Sequence, residues 1–189
     1  TALMPTTSLV LDRLQDTLLP FGILLIVYWS AELVWRDRAV FIHEIVDSTP
    51  SPNGLLLASA LLTLAALVVA LTVAGALTGI AFQIGLGPVP VEATLYLSLL
   101  VFTGIPLVLL GALAVFLQAL APNRYVGMLA MVLATLFWHR GGLGGFQHPL
   151  LRYASAPTVG HSDLSGFSPL AGTFFWLMGY GGAVACLLT

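Results

Sequence analysis

Of the side chains in these 189 residues that could carry chemistry, many fall in one stretch, Arg36-Asp-Arg-Ala-Val-Phe-Ile-His-Glu-Ile-Val-Asp47. Within it, His43-Glu-Ile-Val-Asp47 invites comparison with His-Glu-x-x-His, where two imidazoles one helical turn apart bind zinc and the glutamate serves as base. The fifth residue here is Asp47, so the second imidazole is missing and no metal site is expected. His139, His148 and His161, with Asp163, could in principle surround a metal. Their spacings match no ligand signature, and they read as solvated loop residues. The single cysteine, Cys186, excludes an internal disulfide and a multi-cysteine zinc site. It reads as a small apolar packing residue.

Glu32 is the remaining candidate. A carboxylate within a membrane helix is a functional-site candidate by default, for instance as a proton relay. Glu32 also stands four residues before Arg36, the favourable order for a helical ion pair. Because it lies about one turn from the end of its apolar run, a structural Glu32–Arg36 pair is the favoured reading. All six basic residues are arginine. With no lysine, neither a Walker-type phosphate loop nor a Schiff-base nucleophile can be built. The net charge of −2 and the lack of a basic tail argue against nucleic acid as a partner. No catalytic residue, metal or cofactor is expected in this chain.

The elements that must position these residues are apolar helices. Hydrophobic residues make up 59% of the chain and charged residues 7%, against roughly 25% charged in a soluble domain. The chain therefore reads as an integral membrane protein with an all-α, polytopic transmembrane bundle. Runs near the required length of about 20 residues cover 17–35, 55–84 and 95–120. A short run, 126–138, is expected to span only if extended. Another begins at 169 and stops at 189, where it looks truncated. With Thr1 as the first residue, this suggests a segment of a longer polypeptide. The stretch 139–168, with Gly141-Gly-Leu-Gly-Gly145, is a poor helix and reads as a long loop with re-entrant or interfacial pieces.

Between the first two runs, Phe41, Ile42, Ile45 and Val46 recur at helical spacing, while Asp37, His43, Glu44 and Asp47 take the remaining surface. The pattern predicts a short amphipathic helix along the membrane surface, ended by Pro50 and Pro52. Either it tidies a loop or it docks a partner. Gly75-Ala-Leu-Thr-Gly79 is a GxxxG, which permits close helix packing. Gly104 and Pro106 predict a kink. The four tryptophans, Trp29, Trp35, Trp138 and Trp176, suit aromatic belts. Alternating spans would put Arg36, Arg38 and Arg124 on one side and Arg13, Arg140 and Arg152 on the other, so the positive-inside rule leaves orientation open.

Two longer patterns point to a family. Tyr28-Trp-Ser-Ala-Glu-Leu-Val-Trp-Arg-Asp-Arg38, followed by His43-Glu-Ile-Val-Asp-Ser-Thr-Pro50, resembles ABC exporter permeases of the type-2 class. The similarity is greatest to the bacterial subgroup whose permease is fused to a zinc aminopeptidase-like domain. Ala121-Pro-Asn-Arg-Tyr-Val-Gly127 is similar to that family's Asn-x-Tyr-x-Gly turn, and Gly160-His-Ser-Asp-Leu-Ser-Gly-Phe167 to its Tyr-Ser-Asp-x-Asn-Gly segment. Ser30 and Ala31 depart from the usual small residue and glycine, and Ser48-Thr49 replaces Ala-Leu before Pro50.

The resemblance implies five of the six helices of one permease unit, beginning at its second. It implies that 36–53 is a cytosolic coupling helix and loop docking a separate ATP-binding subunit through Arg36, Arg38, Phe41, Ile42, Glu44, Ile45 and Asp47. ATP and magnesium would sit on that subunit. A second permease half or a second copy would complete the transporter in a bacterial inner membrane, with 139–168 outside the cell. The alternatives are a membrane enzyme using Glu32, His43 or the loop histidines, and a structural subunit with no ATPase. The cargo is not legible.

Overall fold

The computed structural model describes residues 7–39, 53–86 and 93–139, together with helical positions 174–176, 178–179, 181–183 and 186. Among them every regular element is helical. Helix α1 covers Thr7–Ala39, α2 Asn53–Leu86, α3 Ala93–Leu99 and α4 Ile105–Leu120, with a π-helical turn, Leu100–Gly104, joining α3 to α4. Helix α5, Arg124–His139, follows a three-residue corner. Among the described residues, three stretches are long and apolar enough to cross a membrane: Val10–Arg36, Leu57–Gly85 and Tyr96–Leu120. Arg124–Phe137 is a shorter apolar helix. The protein is a helical membrane protein.

The first helix begins at Thr7, well before the apolar run at 17. Asp12, Arg13 and Asp16 lower the hydropathy there without breaking helical periodicity. All three are exposed, while Leu11, Gln15 and Leu18 recur every three or four residues on the buried face. At 33 residues and about 1.5 Å each, α1 is longer than a hydrocarbon core of about 30 Å. Its far end also runs past 35, so the first residues of the expected coupling segment continue α1 to Ala39.

Small residues decide how closely the helices approach. On α2 the buried stripe is Leu64, Val68, Thr72, Gly75, Gly79 and Gln83, every three or four residues. Gly75 faces the Leu18 side chain, and Gly79 faces Leu14 and Tyr96. The GxxxG thus receives leucines of α1. On α1, Gly22 receives Leu107 of α4 in the same way. Between lipid-immersed helices, which share an apolar surround, such van der Waals fit supplies the attraction that water would otherwise supply. Two buried hydroxyls are satisfied within their own helices: Thr72 Oγ1 donates to Val68 O at 3.0 Å, and Ser30 Oγ to Val27 O at 3.2 Å.

Helix α4 lies at the centre, packed against α1, α2 and α5. Ile26, Val27, Val68, Leu107, Leu110, Leu113, Ala114 and Met131 form the main core. Pro106 has no N–H to give the preceding turn, and the chain widens there into the π turn. Gly104 is not a close-approach point, since a Cβ added there would meet nothing within 4 Å. Phe102 of the π turn stacks edge-on against Phe174, with ring centroids 4.6 Å apart. The helices alternate in direction. The end of α1 lies beside the α4–α5 corner, while the start of α1 lies beside the end of α2 and the start of α3.

Candidate functional site

Tyr28, Glu32 and Trp35 share one face of α1, being four and then three residues apart. They meet the corner that joins α4 to α5. Glu32 Oε2 lies 2.8 Å from Arg124 Nη2, with about a third of each side chain exposed. The i, i+4 rule points to Arg36, but among the described residues the ion pair formed by Glu32 is the one across helices. The reason is position: α5 begins at Arg124, level with the last turns of α1, and Arg36 is exposed. The Arg124 guanidinium also stands 5.8 Å from the centre of the Tyr28 ring, within reach of a cation–π attraction.

One turn along, the Trp35 indole Nε1 donates to Gln118 Oε1 at 3.2 Å. An indole nitrogen only donates, so this bond fixes which way the Gln118 amide faces. Gln118 is fully buried, and among the described residues its Nε2 has no hydrogen-bond partner. Such an orphaned donor costs stability. The amide lies against the bare backbone of Gly127, where an added Cβ would come within 2.6 Å of Gln118 Cδ. Glycine at 127 is a matter of space.

The corner between these contacts is firmly tied. Asn123 caps α5, its Oδ1 accepting the Val126 N–H at 2.9 Å. Gly127 N–H donates to Asn123 O at 3.2 Å, and Ala121 N–H to Leu117 O at 3.1 Å. Sequence reasoning missed Arg124 and Gln118 because their partners are distant in the chain. A weak signal was available: a corner arginine and a helix-borne glutamine are rare polar points in an apolar sequence.

At the opposite end the polar contact is neutral. Tyr96 Oη donates to Gln83 Oε1 at 2.8 Å, with both residues buried. In the middle of the bundle, the Thr103 hydroxyl of the π turn is buried and, among the described residues, without a partner.

Of the expected docking residues, Arg36 is exposed at the end of α1 and Arg38 lies in its last turn. Phe41, Ile42, Glu44, Ile45 and Asp47 lie outside the described residues, as do His43, His148, His161 and Asp163. Among the described residues, no group of three or more His, Cys, Asp or Glu could hold a metal ion. No family model, curated protein or solved structure matches this chain.

Proposed function

We propose that this chain is a transmembrane permease segment of an ATP-driven exporter, of the type-2 ABC class that its sequence resembles. The observation that carries the reading is the Glu32–Arg124 pair. It joins the two motifs, Tyr28–Arg38 and Ala121–Gly127, on which much of the resemblance rests, at one end of the bundle. That end is also where α1 stops at Ala39 and α2 starts at Asn53. The segment between them, with the amphipathic sequence pattern around Phe41 and Ile45, meets a cytosolic partner in this reading.

In this reading the chain catalyses nothing. ATP and magnesium bind to a separate subunit, and its closure moves the segment after α1 as a rigid-body or helix shift. The bundle is one half of a transporter completed by a second permease unit in a bacterial inner membrane. The test is substitution of Phe41→Asp and Ile45→Asp in the whole transporter, followed by co-purification with the ATP-binding subunit. Loss of association with the chain still present in the membrane is expected. Undiminished association and transport would reject the docking assignment.

A further inference from the structure

The polar contacts at the Glu32 end do more than close a gap. Residues 28, 32 and 35 present one face of α1, and they reach both sides of the three-residue corner: Gln118 before it and Arg124 after it. The corner is thus contacted by α1 both before and after its turn and is capped internally by Asn123. The contacts tie α1 to two successive helices at once, and they do so although, among the described residues, the buried Gln118 Nε2 is left without a hydrogen-bond partner, an arrangement that costs stability.

From the corner, α4 runs through the centre of the bundle to the π turn, so it is the element best placed to pass a displacement onward. We infer that Tyr28, Glu32 and Trp35 form a grip through which α1 carries the α4–α5 corner with it. Arg124 and Gln118 are the held residues. All five are positioning residues: they turn a movement at the end of α1 into a movement of α4 and α5. The device rests on the proposal that an ATP-binding subunit docks beyond Arg36, but the grip itself is a property of this chain.

The test uses the full-length transporter with its ATP-binding subunit in lipid nanodiscs. Cys186→Ser removes the native thiol, and spin labels are placed at Leu24 and Leu133, both exposed and outside the grip. Four forms are compared: the unreversed protein, Glu32→Arg, Arg124→Glu, and the two reversals together. The unreversed protein should give one narrow α1–α5 distance, and each single reversal should broaden it. The double reversal should restore the narrow distribution. With ATP and vanadate, the change in label mobility at Leu133 should be present in the unreversed and doubly reversed proteins and lost in the singles, while association with the ATP-binding subunit is unchanged.

Unchanged distance widths in the single reversals, or a double reversal no better than the singles, would overturn the grip. If a single reversal fails to reach the membrane, Glu32→Gln takes its place, with intermediate broadening expected. A width equal to that of the unreversed protein would overturn the grip equally. Failure of the unreversed chain to associate with any ATP-binding subunit would reject the transporter reading instead, and the distance widths would still decide the grip.

Discussion

Glu32 and Arg124 close one end of this bundle with a partly exposed ion pair, whereas Gln83 and Tyr96 close the other with a buried, neutral hydrogen bond. The two ends also differ in what they join. The neutral end ties the close of α2 to the start of α3, beside leucines of α1 lying against Gly75 and Gly79. The charged end ties α1 to a corner far along the chain, leaves an amide donor unmatched and has its pair partly exposed. The neutral end joins elements that are neighbours in the chain, while the charged end holds α1 against a corner distant from it in sequence.

Substitutions at the two ends can break or sharpen this contrast. The largest effect is expected from Gly127→Ala, whose methyl group would force the buried, Trp35-bonded Gln118 amide to move. Overpacking of this kind costs about 1–3 kcal/mol. It should appear as a lowered midpoint of denaturant unfolding in mixed micelles, together with a shift in Trp35 fluorescence as the indole loses its acceptor. A lowered midpoint without the Trp35 change would mean that the strain is relieved elsewhere. At the neutral end, Tyr96→Phe removes the donor to Gln83 and keeps the ring. Interhelical hydrogen bonds in membranes average about 0.6 kcal/mol and reach about 1.7. A midpoint loss in that range, with ATP-binding subunit association unaltered, is expected. If Tyr96→Phe abolished association while Gly127→Ala spared it, the roles assigned to the two ends would be reversed.

The apolar runs at 55–84 and 95–120 announce their helices because a bilayer core imposes a length that uninterrupted hydrophobic sequence can be measured against. The start of α1 escapes that measure. Asp12, Arg13 and Asp16 depress the hydropathy, and only the inward spacing of Leu11, Gln15 and Leu18 discloses the helix. Gly75 and Gly79 are legible as a packing surface, but the residues that fill it, Leu14 and Leu18, belong to another helix and are not. The same limit applies to the site. Glu32 stands out as a charged residue in a span, yet local periodicity offers only Arg36 as its partner. Arg124 becomes its neighbour once α4 folds back beside α1. Pro106 signals an irregularity, whereas its form, a π turn stacked on Phe174, depends on packing.

In the proposed permease reading the charged end faces the cytosol and the start of α1 faces outward. Single cysteines, Arg36→Cys and Asp16→Cys, placed in a Cys186→Ser background and exposed to a membrane-impermeant maleimide, report on that orientation. Both positions are exposed and lie at opposite ends of α1. Position 16 should react in intact cells, and position 36 only once the membrane is opened. Labelling of position 36 from outside the cell, with position 16 protected, would contradict that orientation.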